Sequence, residues 1–297
     1  MKLKTIAVLG GGSAGFTAAQ TAAQQGANVL FFMGNNADHA SLCINAGCMP
    51  SKALFEPIDL MHHAKRHGWL DVKPRQPNEY LAQIVRWKDN EIGEFRAYQQ
   101  KAIREQASDR FQIIRSNASF LSAHEILSEG KRYAFDAAII ATGSLTNIPP
   151  IEGLDPAADG VWTSDEILHN TRIPKSLAVI GAGAIGLEFS LRYARLGSAV
   201  TLLTRGGILV EFPAQFGERL GSIYQREGVR VLTHRSATRI TRDKSGCFVI
   251  ETEGANSIAP IVAEKILLAV GRRPALGHLG FEATGVDRCV KTRTPSR

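Results

Sequence analysis

Apolar residues along this chain arrive in short unbroken runs that each open onto glycines, and the arrangement occurs twice. Thr5 to Leu9 is an apolar, β-branched run leading into Gly10-Gly11-Gly12-Ser13-Ala14-Gly15, then an alanine-rich stretch to Gln25, then a second apolar run from Asn28 to Met33. Runs of this length bounded by glycine read as strands and the alanine-rich stretch as a helix, so the order is strand, tight loop, helix, strand. Leu177 to Ile180, Gly181-Ala182-Gly183-Ala184-Ile185-Gly186, a helical stretch to Arg195 and Ala199 to Leu203 repeat it. The expected fold class is α/β, built on two Rossmann-like dinucleotide-binding units.

Between the two copies the pattern turns polar. A helix is expected from about Ser51 to His67, a proline-rich break at Lys73 to Pro77, and a long polar helix from about Glu79 to Ala107. A strand-rich stretch follows, and Phe135 to Ala141 reads as a buried strand ending in Ala141-Thr142-Gly143-Ser144. Pro149-Pro150 marks a linker. The expected domains are 1–147, 148–272 and a return segment 273–297, with the boundary near Leu145 to Pro150.

Composition narrows the class. With 297 residues, 44% of them hydrophobic, the chain can bury a core and holds about two domains. Four cysteines, two of them clustered, do not form the dense framework of a small secreted protein, and a reducing compartment fits better. The basic lead Met1-Lys2-Leu3-Lys4 before an apolar run has the outline of a signal peptide, but the glycines that follow argue against export. No run approaches the roughly 20 apolar residues that span a bilayer. The expectation is a cytoplasmic protein with no membrane partner. The net charge of +7 raises nucleic acid as a ligand, but the 35 Lys and Arg are scattered rather than gathered in a stripe. An anionic dinucleotide accounts for positive charge equally well, and the basic end Lys291 to Arg297 reads as a solvated tail.

In a Gly-x-Gly-x-x-Gly loop the first glycine permits the turn, the second lets a pyrophosphate reach the backbone, and the third lets helix pack on strand. Gly10, Gly12 and Gly15 satisfy this, as do Gly181, Gly183 and Gly186. Each second strand should end in a carboxylate for the adenosine ribose, yet the positions hold Met33 and Thr204. Thr204 is followed by Arg205, and a guanidinium in place of a carboxylate is how such sites accept a 2′-phosphate, which predicts NADPH over NADH.

Cys43 and Cys48, five apart, are a candidate redox-active pair; two buried thiols or a metal pair are the alternatives, although metal binding wants further ligands that are not near in sequence. His62, His63 and His67 read as a solvated or packing face. In a regular helix residues five apart would have Cα atoms roughly 8 to 9 Å apart. A disulfide needs less than about 7 Å, so the segment must be distorted, with Gly47 supplying the freedom. Pro50 suits the first turn of the following helix, which places Cys48 near a positive dipole end that favours a thiolate.

The early glycine loop, Cys43-(four residues)-Cys48-Met49-Pro50-Ser51-Lys52, Ala141-Thr142-Gly143, the second loop with Glu188, and Ala269-Val270-Gly271-Arg272-Arg273-Pro274 together resemble class I pyridine nucleotide-disulfide oxidoreductases, the group of lipoamide dehydrogenase, mercuric reductase and glutathione reductase. The resemblance covers residues 1 to about 286. It implies FAD on the first unit and NADP, or NAD, on the second. It also implies that electrons pass through FAD to a Cys43–Cys48 disulfide and on to a small-molecule disulfide or other oxidant. Cys48 would lie next to the flavin, Cys43 would exchange with substrate, and Lys52 and Glu188 would pair near the flavin, an ordinary surface ion pair being the alternative. Gly10, Gly12, Ser13, Ala14, Gly15, Lys52, Ala118, Ala141, Thr142 and Gly143 would touch FAD. Gly181, Gly183, Ile185, Gly186, Glu188, Thr204, Arg205 and Gly271 would serve the nicotinamide cofactor, and no metal is implied.

Three departures qualify the resemblance. Ala40, Ser41 and Leu42 stand where two glycines and a threonine usually precede the first cysteine, and Met33 removes a ribose contact that Asp38 could replace. The end, Asp287 to Arg297, matches nothing in the family and reads as a frameshift or premature stop. On that reading the interface domain, its His-Glu pair and the family homodimer are missing, and apolar surface is exposed. The alternative function is then an inactive fragment, at most a nucleotide-binding module. Cys247 reads as a buried strand residue and Cys289 as an incidental tail thiol.

Overall fold

The computed structural model describes residues 3–35, 41–68, 77–254 and 256–286. Asp38, residues 73–76 of the proline-rich break, Cys289 and the basic end 291–297 lie outside the described residues. The first half of the chain runs β1 (Thr5–Leu9), α1 (Ser13–Gln24), β2 (Asn28–Phe32), the single turn α2 (Leu42–Asn45), α3 (Cys48–His67), α4 (Pro77–Arg104), β3 (Phe111–Ile114), β4 (Ser119–Ser122), β5 (Glu125–Ser128), β6 (Lys131–Ala134), β7 (Ala137–Ile140) and β8 (Ser144–Thr146). The second half runs β9 (Val161–Trp162), α5 (Ser164–Ile167), β10 (Ser176–Ile180), α6 (Ala184–Leu196), β11 (Ala199–Leu203), α7 (Ala214–Arg226), β12 (Arg230–Leu232), β13 (Arg235–Arg242), β14 (Phe248–Gly254), β15 (Ile261–Ala263), β16 (Lys265–Leu268), β17 (Arg272–Pro274) and a 3-10 turn at Phe281–Thr284. None of the described helices is long and apolar enough to cross a membrane.

The chain divides into two compact units, one from Met1–Asn45, Phe95–Ser144 and Pro274–Arg297, the other from Ala46–Glu94 and Leu145–Arg273. In the first, a parallel sheet has the order β3-β2-β1-β7. Because successive side chains of a strand face opposite ways, β1 and β2 supply two cores. Val8, Val29 and Phe31 pack with Ala19 of α1, Ile103 of α4 and Phe111, while Ala7, Leu9, Leu30 and Phe32 pack with Phe120, Ile126 and Phe135 of the β4-β5-β6 layer. Strand β7 corrects the expectation of a buried strand at Phe135 to Ala141. It pairs with β1 alone among the described residues, and as the edge of its sheet it leaves Ile139 39% and Ile140 36% exposed.

The second unit repeats the plan with a parallel sheet ordered β12-β11-β10-β16-β9 and an antiparallel layer β13-β14-β15. Ala178 and Ile180 of β10 face that layer, meeting Ile240, Phe248 and Ile250, whereas Leu177 and Val179 face the helices. The expectation that residues 46–94 belong with the first domain is corrected here. Leu54, Phe55 and Ile58 of α3 and Leu81, Ile84 and Val85 of α4 share one core with Leu187, Phe189 and Tyr193 of α6, so these apolar faces tie the segment to the second unit. Helix α3 also starts at Cys48, three residues earlier than expected, and α4 spans Pro77–Arg104 rather than Glu79 to Ala107.

A polar seam runs beside that core. Asp59 of α3 accepts from Arg192 at 2.7 Å and Arg195 at 2.8 Å, both on α6. Glu227, just past α7, accepts from Arg195 and from Arg66, each at 3.1 Å, and lies 3.3 Å from His62 Nε2. His62 is therefore a packed side chain, while His63 and His67 are exposed.

Burial pushes the Glu227 carboxyl up, but the hydrogen bond and charge of Arg195, with His62 and Arg66, outweigh it and hold the group below the usual carboxylate range. Burial first, then Arg195, holds His62 below the ordinary imidazole value. A group whose value is depressed in the folded chain stabilises it above the unfolded value and loses that contribution as pH falls through the folded one. Stability measured by urea denaturation should therefore decline as pH falls below 6.5, the unfolded value for His62, and decline again below 4.5, that for Glu227. Glu227→Gln should flatten the second decline; an unchanged acid limb in that variant would show that the seam contributes nothing.

Candidate functional site

Each glycine loop is closed by backbone where a side chain would otherwise stand. Gly10 has φ +119°, and a Cβ there would lie 2.1 Å from the Ala141 carbonyl oxygen; one on Gly15 would lie 1.8 Å from the carbonyl oxygen of Gly10. Helix α1 starts after Gly12, which is extended and offers no side-chain cap, so the first amides of the helix point into the loop mouth without a side-chain acceptor. Ser13 Oγ lies 2.9 Å from Ser41 Oγ, and Ala14 is exposed beside it. Thr142 Oγ1 donates to Ala275 O at 2.8 Å and Gly143 O accepts from Ala275 N at 3.0 Å, fixing the segment after β7 against the returning chain. Ala118 packs half-buried under the β4-β5-β6 layer. Met33 is 5% exposed with its side chain among Val8, Ala19 and Phe31, so it presents no polar atom to a ribose. Among the described residues past β2, Asn35 pairs with Asn117, each accepting the other's backbone N–H, at 3.1 and 3.0 Å.

The second loop matches the first. Gly181 has φ +113°, with a Cβ position 2.3 Å from Ala269 O, and that of Gly186 is 1.9 Å from Gly181 O. A Cβ on Gly183 would meet nothing within 4 Å, and Gly183 precedes α6 without a side-chain cap. A closed base, an open middle glycine and uncapped amides are what a pyrophosphate requires, so the second loop fits a dinucleotide, and the first shares its closed base and uncapped amides. Ile185 packs on the core behind. Thr204, past the end of β11, exchanges backbone bonds with Leu232 O and Arg235 N, each at 3.0 Å, and leaves Arg205 exposed. Gly271, at φ +96°, accepts from Asn147 N at 3.0 Å.

Cys48 is the first residue of α3 and exposed; Gly47 before it has φ −135° and ψ −122°, neither helical nor extended, and separates α3 from α2. Cys43 is half-buried on α2. One turn after Cys48, Lys52 Nζ donates to Glu188 Oε1 of α6, the helix that begins at the second glycine loop. The same ammonium lies 5.6 Å from the centre of the Phe55 ring. Among the described residues no group of three or more His, Cys, Asp or Glu is placed to hold a metal. Cys247 is half-buried in the turn before β14, where its amide donates to Asp243 Oδ1 at 3.0 Å, rather than in the strand itself.

Sequence reasoning overlooked Asn35, Asn117, Asn45, Arg96 and the Asp59 seam. Asn35 and Asn117 lie 82 residues apart and Asn45 and Arg96 lie 51 apart, so no local signal marks either pair.

The two kinds of glycine predict opposite outcomes. Gly15→Ala or Gly186→Ala forces a methyl into a carbonyl oxygen and should cost about 3 kcal/mol by urea denaturation. Gly183→Ala meets open space and should stay within ~0.5 kcal/mol of the parent. Equal losses at Gly183 and Gly186 would contradict the closed-base geometry.

Comparison with known proteins places this arrangement. The family model described as pyridine nucleotide-disulphide oxidoreductase matches residues 4–290. Mercuric reductase of Shewanella putrefaciens is 32% identical over 286 residues, covering 95% of this chain and 50% of that protein. Dihydrolipoyl dehydrogenase of Thermus scotoductus is 34% identical over 289 residues, covering 96% of this chain and 61% of its own length. The HOCl-induced flavoprotein disulfide reductase RclA from Escherichia coli superposes with a TM-score of 0.76 at 26% identity, over 96% of this chain and 60% of that one. The chain thus spans about half to three-fifths of the length of these relatives. With two closed glycine loops, a cysteine-bearing helix and a match over nearly its whole length, the chain belongs to the pyridine nucleotide-disulphide oxidoreductase family.

Proposed function

We propose that the chain is an FAD-dependent NADPH:disulfide oxidoreductase whose redox couple is Cys43–Cys48. The observation that carries the reading is the Lys52–Glu188 pair, which joins the helix starting at Cys48 to the helix starting at the second glycine loop. With FAD at the first loop and NADPH at the second, the bound groups would supply two-electron transfer from the nicotinamide to a disulfide.

The chain's own residues have the remaining work. The amides after Gly12 and Gly183 bind the pyrophosphates, and the closed bases at Gly10 and Gly181 shape the mouths. Lys52 offers a fixed positive charge, with Glu188 holding its orientation; with side chains 60% and 34% exposed, this pair is worth only about 0–1 kcal/mol to stability, so its value lies in direction. Arg205, exposed after β11, would supply the guanidinium for a 2′-phosphate. In the thiol steps the Cys43 thiolate attacks one sulfur of a small-molecule disulfide, and the leaving thiolate takes a proton from water. Cys48 then attacks the mixed disulfide, releasing the second substrate thiol and closing Cys43–Cys48.

Three expected outcomes test this. The purified chain, supplied with FAD and titrated anaerobically with NADPH, should be yellow and develop a long-wavelength absorption band that Cys48→Ser removes. Cys43→Ser should abolish disulfide reduction while sparing NADPH oxidation by artificial acceptors. A colourless chain that still binds NADPH would leave only a nucleotide-binding module. Arg205→Ala should raise KM for NADPH roughly tenfold or more, the loss of one charged hydrogen bond of about 1.5–3 kcal/mol, and leave KM for NADH unchanged; equal changes for both would remove the assignment to NADPH.

A further inference from the structure

The turn that carries Cys43 is too short to hold itself. Helix α2 has four residues, fewer than a stable isolated helix needs by a wide margin, and lies directly after Ser41, which is 1% exposed. Its shape is set by one side chain. Asn45 uses both ends of its carboxamide: Nδ2 donates to Ser41 O at 2.9 Å, and Oδ1 accepts from Arg96 Nε of α4 at 2.8 Å. The Asn45 backbone N–H donates to the same Ser41 carbonyl, also at 2.9 Å, so both lone pairs of that oxygen are used. Ser41 Oγ in turn lies 3.4 Å from Ile44 N and 2.9 Å from Ser13 Oγ at the start of α1.

We propose that Asn45 and Arg96 are positioning residues for the Cys43–Cys48 couple, a reading that rests on the proposed redox function. The Arg96–Asn45–Ser41 clamp closes the loop from Ser41 to Asn45 around Cys43 and anchors it to α4 and, through Ser13, to the helix of the first glycine loop. A thiol held on an ordered turn closes a disulfide at high effective concentration, and freeing the turn lowers that concentration. The Cys43–Cys48 disulfide is therefore more stable with the clamp than without it. The equilibrium that reads this is two glutathione thiols plus the Cys43–Cys48 disulfide giving glutathione disulfide plus two cysteine thiols; one S–S bond breaks, one forms, and the two thiol protons move from glutathione to Cys43 and Cys48.

The test titrates the 297-residue chain, Asn45→Ala, Arg96→Ala and Asn45→Asp against glutathione redox buffers, with circular dichroism confirming the fold of each. In parallel, alkylation of the reduced proteins by iodoacetamide is followed separately at Cys43 and Cys48 by peptide mass. Asn45→Ala and Arg96→Ala should shift the equilibrium toward the dithiol by about tenfold, ~30 mV for this two-electron couple. Both should also speed Cys43 alkylation by about tenfold while changing Cys48 less than twofold. Asn45→Asp keeps the acceptor for Arg96 but loses the donor to Ser41 O, so it should fall between the parent and Asn45→Ala; Arg96→Ala decides the matter if Asn45→Ala does not fold. Unchanged potential and unchanged Cys43 alkylation in the folded variants would overturn the proposal. If the parent chain forms no Cys43–Cys48 disulfide, the redox function fails on its own account. The alkylation rates then decide the positioning claim, acceleration confined to Cys43 supporting it and equal rates overturning it.

Discussion

The edge-to-face contact between Phe55 of α3 and Phe189 of α6, with ring centres 5.0 Å apart at 80°, is the contact on which the position of Cys48 and Lys52 depends. Helix α3 has weak support of its own. Its first residue follows a glycine without a side-chain cap, and Pro57 inside it removes a backbone donor. Packing must therefore hold it, and an aromatic pair of this kind adds about 0.5–1.5 kcal/mol beyond the area it buries. The charges around it then act as guides. Arg192 lies 4.9 Å over the same Phe55 ring and reaches Asp59 one turn further on, although its Nε is buried without a partner. Lys52, whose ammonium lies 5.6 Å from the centre of the same ring, is directed to Glu188. One aromatic side chain thus sets the azimuth of the cysteine-bearing helix, and the ion pairs beside it guide its register.

The two nucleotide loops solve one steric problem in the same way. In each, the first glycine comes against a carbonyl on the neighbouring strand's exit, Ala141 or Ala269, and the third comes against the first. The contacts are between backbone atoms, so no repacking of side chains can relieve a substitution. The constraint is local, repeated and written in glycine alone, which is why it is readable without any structure.

That distinction separates what sequence reasoning reached from what it missed. The paired strand-loop-helix units depend on spacing within about thirty residues. The Lys52–Glu188 pair was reached only because a family resemblance supplied a contact 136 residues apart. The assignment of α3 and the first part of α4 to the second unit depends on which of two similar cores accepts Phe55, Leu81 and Ile84. An apolar face records that it must be buried, not against what. Met33 illustrates the same limit: its place at the end of β2 follows from the pattern, but its turn into the Phe31 core does not. The half of the Asn45 clamp made with Arg96 has no local pattern, since Arg96 lies 51 residues away.

Strand β7 has a different consequence. Parallel strands of this composition are ordinarily covered on both sides, and edge strands are ordinarily blunted by lysine, proline or a bulge. Ala137 to Ile140 carries none of these, and among the described residues it is a sheet edge with Ile139 and Ile140 exposed. The two glycine-loop units can be as well packed as their buried cores suggest while this strip still offers itself to another chain. For this polypeptide, conformational stability and colloidal stability are separate properties, and conditions that strengthen the first by favouring apolar burial also drive the second toward association.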